Sequence, residues 1–268
     1  MMNRIQAMFS DLKKRGETAL IPFVTAGDPD DATTEALVLE MAANGADLIE
    51  LGLPFSDPLA DGPTIQAASQ RALAAGMNTK KFFDLVKRIR KKCQIPLVLM
   101  GYYNPIYRYG LERFAADAAK AGIDGTIIPD LPLEEAGPWM KEAKKTGLAN
   151  IFLIAPNTPP ERIEKIGRAS QGFLYYVSVT GITGARNDLP VELSKGLKMT
   201  KKLVNIPLAV GFGISRPEQV AMLSEFADGI IVGSAIVKLV EKCGSSTTKA
   251  VQEVGDFVKG LKEATRSG

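Results

Sequence analysis

Short apolar runs rich in β-branched residues alternate with longer stretches in which apolar residues recur at helical spacing, the pattern of repeated strand-helix units around a parallel sheet. Eight such runs are present: Ala19 to Thr25, Ala46 to Gly52, Pro96 to Tyr102, Asp124 to Pro129, Asn150 to Ala155, Phe173 to Ser178, Ile206 to Phe212 and Asp228 to Gly233. Each is apolar almost throughout, which predicts burial on both faces. Eight regular units predict an α/β chain folded as a closed (β/α)8 barrel, one domain over residues 1–268. A doubly wound open sheet is the competing arrangement, and eight regular units fit it less well.

Between the runs, helix signals are explicit. Asp28 to Asp31 can cap a helix that ends at Asn44 and Gly45. The second gap is the longest and predicts two helices, from about Pro63 to Ala75 and, after the cap candidates Asn78 and Thr79, one with Phe82, Phe83, Val86 and Ile89 on one face. Ahead of the first run, Ile5, Met8, Phe9 and Leu12 repeat at helical spacing and predict an extra amphipathic helix able to close the barrel floor.

Composition narrows the chemistry. The 33 basic and 30 acidic residues nearly balance, so any anionic ligand is held locally rather than by a general field. The sequence has no histidine, which removes the usual general base, the commonest metal ligand and every Ser-His or Cys-His arrangement. The two cysteines, Cys93 and Cys243, stand in unrelated segments, which favours a reducing compartment. With neither a signal-like start nor a long apolar run, the expected location is the cytoplasm.

In a barrel the reactive groups sit where strands end. Along Leu48-Ile49-Glu50-Leu51-Gly52, a period of two turns Ile49 and Leu51 towards the helices and Leu48 and Glu50 towards the axis. A carboxyl among apolar neighbours has a raised pKa, suiting a group that must both give and take a proton; a structural glutamate paired with a base is the alternative. The next loop carries Asp57, by default a turn residue before Pro58, and Asp61, which could equally cap the following helix. Tyr175 could reach the mouth, though an aromatic in a buried strand is more often packing. Asp130 reads as a turn or cap residue, and Phe23, Tyr102, Leu153 and Phe212 could line a pocket that accepts a ring. Glycine-rich turns at Gly181 to Gly184, Gly211 to Ser215 and Gly233 to Ala235 suggest a phosphate cradle, with a short helix from Ser234 aiming its positive end at the site.

The segment ELGLPFSDPLADGPTIQAAS, from Glu50 onwards, closely resembles the signature of the tryptophan synthase α subunit family, and PFVTAGDP, GITGAR, GFGIS and GSAIVK resemble further family motifs in the expected order. The resemblance extends over essentially the whole chain. It implies retro-aldol cleavage of indole-3-glycerol phosphate to indole and glyceraldehyde 3-phosphate, without cofactor or metal. By the family pattern, Glu50 moves the protons, Asp61 accepts the indole N–H and stabilises the cationic indolenine, and Tyr175 sits beside Glu50. Gly184, Gly213, Gly233 and Ser234 hold the phosphate, and Thr183 belongs to a loop that closes over substrate. The resemblance also implies a pyridoxal-phosphate β subunit as partner in an αββα complex, meeting the loop of Pro54, Asp57 and Pro58. Relatives that release free indole alone share these motifs. A Schiff-base aldolase is disfavoured because no lysine lies in or directly after a strand. A sugar-phosphate isomerase or epimerase would use a similar cradle and base but leaves two acids in this loop unexplained. A scaffolding subunit would have lost Glu50 or Asp61.

Overall fold

The computed structural model describes residues 3–178, 191–211, 213–244 and 246–266. Among these, every strand pairing is parallel, and the strands run β1 (Ala19–Thr25), β2 (Ile49–Gly52), β3 (Leu97–Met100), β4 (Gly125–Ile127), β5 (Ala149–Ile151), β6 (Leu153–Ile154), β7 (Leu174–Val177), β8 (Leu208–Gly211) and β9 (Gly229–Val232). The ladder order is β5-β4-β3-β2-β1-β9-β8-β7-β6. Eight expected runs give nine strands because the fifth is divided at Phe152. Its first part pairs with β4 and its second with β7, while the Phe152 carbonyl accepts the Tyr175 N–H at 3.0 Å. That one stretch of chain therefore bridges the two ends of the ladder and closes the barrel.

Two layers of apolar packing follow from the alternation of side chains. Ile21, Leu48, Val98, Ile127, Ile151, Phe173, Ala209 and Ile231 fill the barrel, whereas Leu20, Ile49, Leu51, Leu97 and Leu99 pack outwards against the helices. The first helix, α1 (Arg4–Arg15), buries Ile5, Phe9 and Leu12 in the inner cluster, with Met8 against it. It plugs the floor as its spacing predicts. Asn3 caps it by accepting the Ile5 N–H at 2.9 Å and ties it down by donating to the Asp124 carbonyl at 2.8 Å.

The helix α2 (Asp31–Ala43) is capped by Asp30, whose carboxylate accepts the Thr33 N–H at 2.7 Å. The second gap holds α3 (Pro63–Ala74) and α4 (Thr79–Arg90), the latter capped by Asn78. Two further helices follow β3, α5 (Tyr103–Tyr109) and α6 (Leu111–Ala121), divided at Gly110. After them come α7 (Gly137–Thr146), α8 (Pro160–Ala169), α9 (Val191–Leu203) and α10 (Pro217–Ser224). The chain then adds α11 (Ser234–Cys243) and α12 (Thr247–Ala264), the latter lying against α2. No helix among the described residues is long and apolar enough to cross a membrane.

Asp28 does not cap α2. Its buried carboxylate takes a two-pronged bond from Arg71 of α3, Nε to Oδ1 and Nη2 to Oδ2 at 2.8 Å each, while Arg71 Nη1 reaches Glu241 of α11 at 2.8 Å. One guanidinium thus joins the β1 loop, α3 and α11. The geometry matches a planar fork, which a lysine would not reproduce. Arg71→Met strands a buried carboxylate and is expected to lower stability by about 2 kcal/mol or more, with Asp28→Leu in the same chain recovering much of the loss. Urea denaturation of the single and double variants measures both.

Candidate active site

β1 and β2 are in register with Phe23 opposite Glu50, and β2 continues in register with β3. Since Leu48 lies in the inner cluster, alternation turns Glu50 inwards at the upper end of the barrel. Glu50 is 2% exposed, and its Oε2 has no hydrogen-bond partner among the described residues. No ion pair involving it is found there, which argues against the structural-glutamate alternative. Burial pushes its carboxyl up to about 8, and the negative charge of Asp61 adds to the rise.

Asp61 reaches the same space from the loop after β2. Tight turns shape this loop, with the Asp57 carbonyl accepting the Leu59 N–H and the Pro58 carbonyl accepting the Asp61 N–H, both at 3.0 Å. The cap of α3 is Gly62, and no side chain bonds there, so the Asp61 carboxylate is not spent on capping. Burial raises it to about 6, partly offset by a hydrogen bond from the Tyr102 hydroxyl. That hydroxyl also accepts the Ala60 N–H at 3.0 Å, and the Tyr102 ring lies 5.4 Å from that of Phe55. Tyr102 is therefore more than a pocket wall: it fixes the loop that carries Asp61.

Tyr175 of β7 is half-buried and packs against the inner cluster. Burial, then the charges of Glu50 and Asp61, hold its phenol neutral by raising its pKa well above the ordinary value. A Cβ on Gly211 would lie 2.6 Å from the Tyr175 hydroxyl, and a Cβ on Gly52 would lie 2.8 Å from the Phe23 ring. Each ring crosses a neighbouring strand where only glycine leaves room. Gly211→Ala is expected to lose about 1–3 kcal/mol of stability by overpacking, and Tyr175→Phe to restore part of it by removing the atom in closest contact. Thermal denaturation of the two single variants and the double variant measures this.

Phe23 packs with Ala68, Val237, Ile65 and Met100 to form an apolar wall, and Leu153 lies half-buried in the inner cluster. Sequence reading missed Met100 and Ile65, although the register of Met100 opposite Gly52 carries the signal. Gly213 is exposed with φ 75°, in the left-handed region that favours glycine. Gly233 begins α11 without a side-chain cap, and Ser234 is exposed at its first turn. Thr183, Gly184 and Phe212 lie outside the described residues. In the β2 loop, Pro54 and Pro58 are buried whereas Asp57 is exposed and Leu59 is 92% exposed. Asp130 acts as a cap across the fold, accepting the Tyr103 N–H at the start of α5 at 2.9 Å.

Comparison with known proteins gives this geometry a family. The sequence profile described as tryptophan synthase alpha chain matches residues 9–266. The chain is 52% identical over 263 residues to the tryptophan synthase alpha chain of Geobacter sulfurreducens, covering 98% of this chain and 99% of the relative. This chain belongs to the tryptophan synthase alpha chain family. Its counterpart in Citrifermentans bemidjiense is 51% identical over 267 residues, covering 100% of this chain and 99% of that one. Among solved structures, the tryptophan synthase alpha subunit of Legionella pneumophila superposes with a TM-score of 0.92 at 39% identity, covering 99% of both chains. A chain from the tryptophan synthase a2b2 complex of Pyrococcus furiosus superposes with a TM-score of 0.86 at 42% identity, covering 91% of this chain and 98% of that one. The tryptophan synthase alpha fold thus accounts for the barrel, the plugged floor and the added helices together.

Proposed function

We propose that this chain, acting as one barrel domain, cleaves indole-3-glycerol phosphate by a retro-aldol reaction into indole and glyceraldehyde 3-phosphate. The observation that carries the reading is the buried Glu50, whose Oε2 has no partner among the described residues, at the barrel mouth that Asp61 also reaches; burial raises both carboxyls, Glu50 to about 8 and Asp61 to about 6. Around neutrality Glu50 keeps its proton while Asp61 is charged. Glu50 then protonates the indole ring at C3, which leaves a carboxylate beside a cationic indolenine. Asp61 accepts the ring N–H and stabilises that cation. The Glu50 carboxylate next takes the proton of the glycerol hydroxyl adjacent to the ring, the carbon–carbon bond breaks, and the electron pair returns to the ring as indole forms. The acid is regenerated with no net proton exchanged.

Phe23, Tyr102 and Leu153 form the apolar surroundings of the ring, a role this reading also assigns to Phe212, which lies outside the described residues, and Tyr175 supplies a neutral hydroxyl next to the acids. Gly213 and the uncapped start of α11 at Gly233 and Ser234 offer backbone N–H groups to the phosphate, joined in this reading by Thr183 and Gly184. Holding a dianion needs no net charge, in keeping with 33 basic against 30 acidic residues.

The proposal includes a pyridoxal-phosphate β subunit as partner in an αββα complex, as the Pyrococcus furiosus relative's a2b2 complex suggests. Support comes from the exposed loop of Asp57 and Leu59, braced beneath by the buried Pro54 and Pro58, and from Tyr107 on the neighbouring α5, which is 65% exposed. The cytoplasm as its place of action is part of the same reading, supported by the unpaired Cys93 and Cys243.

The test is indole release from indole-3-glycerol phosphate by the purified chain, alone and with a β subunit. Slow release that the partner accelerates is the expected result. Fast release unchanged by the partner would identify a stand-alone lyase, and no release in either case would overturn the reading in favour of an isomerase or a scaffold.

A further inference from the structure

Thr126 and Asn150 are cross-strand neighbours on β4 and β5. Because Ile127, Ala149 and Ile151 face the inner cluster, these two side chains face outwards, on the side where α7 covers β5. There Trp139 of α7 is 1% exposed, Thr126 2% and Asn150 5%. Thr126 Oγ1, Trp139 Nε1 and Asn150 Oδ1 are all without a hydrogen-bond partner among the described residues. All three residues line one small cavity, with Ile128, Leu131, Ile151 and Phe152 completing its wall.

Unpaired polar atoms at this depth are rare, and three around one cavity have a common explanation. The indole N–H can only donate, the amide oxygen can only accept and the hydroxyl can do either. One water molecule answers all three, accepting from Trp139, donating to Asn150 and exchanging a third bond with Thr126. Three bonds are also what a buried water typically makes. The cavity gives the centre of a water-sized molecule about 10 Å³, room for one water.

We propose that Thr126, Trp139 and Asn150 form a specific internal-water site that joins β4, β5 and α7. Asn150, Ile151 and Phe152 line it, so the water sits where the fifth run changes pairing partners. Backbone bonds already close the barrel along this stretch, and the water adds a cross-link between sheet and helix that the backbone does not.

The chain has a single tryptophan, so Trp139 gives one indole N–H resonance to observe. Proton NMR of the whole protein, at a pH where this N–H exchanges slowly with solvent, is expected to show a dipolar cross-peak to a long-lived water. Thr126→Val is expected to weaken that peak several-fold, and Thr126→Ser to retain it. A high-resolution crystal structure is expected to place one oxygen within about 3 Å of all three atoms. Lack of the cross-peak, a peak indifferent to Thr126→Val, or density in which the three groups pair with one another would each overturn the proposal. Should Thr126→Val not fold, the wild-type spectrum and density decide alone.

Discussion

Glu50→Gln is expected to give a folded barrel whose indole release falls at least about 10³-fold, because the amide keeps the shape of the acid and loses its proton. The same substitution is expected to stabilise the protein. Folding raises the Glu50 carboxyl from an ordinary 4.5 to about 8. A folded value above the unfolded one contributes stability that is fully present below the unfolded pKa and lost as pH rises through the folded pKa. The Glu50 contribution is therefore lost in the wild type between about pH 4.5 and 8, while glutamine does not titrate. The variant's advantage should be small at pH 5 and on the order of 3 kcal/mol at pH 7. Urea denaturation across that range, alongside the activity assay, separates the two effects. Full turnover would remove Glu50 from the mechanism, and a stability difference independent of pH would remove the raised pKa.

Asp61→Asn is expected to lower kcat/KM by roughly 10²–10³-fold, the usual loss when a charge-stabilising group is removed from a water-poor site. Its effect on the pH profile is more telling. The competent form holds Asp61 charged and Glu50 protonated, so wild-type kcat/KM should rise through about 6 and fall through about 8, values that belong to the coupled pair. Asparagine abolishes the rising limb. It also removes the negative charge that helps raise Glu50, so the falling limb moves to lower pH. An unchanged profile would remove Asp61 from the rising limb and from any influence on Glu50.

Much of this arrangement was legible because it depends on local period. Alternation along β2 turned Glu50 inwards, and helical spacing at Ile5, Met8, Phe9 and Leu12 announced the floor. Each signal lies within a single element. What escaped is long-range: the Tyr102 hydroxyl at the Ala60 N–H joins positions 42 residues apart, and Arg71 joins Asp28 to Glu241. No spacing rule encodes such pairs. Asp28 looked like one more capping acid until its partner came into view, and Asp61 was separable from a cap only once Gly62 took that place. The division of the fifth run at Phe152 was hidden for a related reason, since an apolar run looks the same whichever neighbour it pairs with.

The fit of the Phe23 ring over Gly52 and the Tyr175 hydroxyl over Gly211 has a consequence for how the mouth can diverge among relatives. Each pair leaves space for one bulky group, so its two members do not vary independently. A lineage that shrinks the ring first leaves a small void, which a side chain at the glycine position can later fill. A lineage that enlarges the glycine first meets the clash at once. Pocket shape is thus open to drift along one sequence of steps and closed along the other.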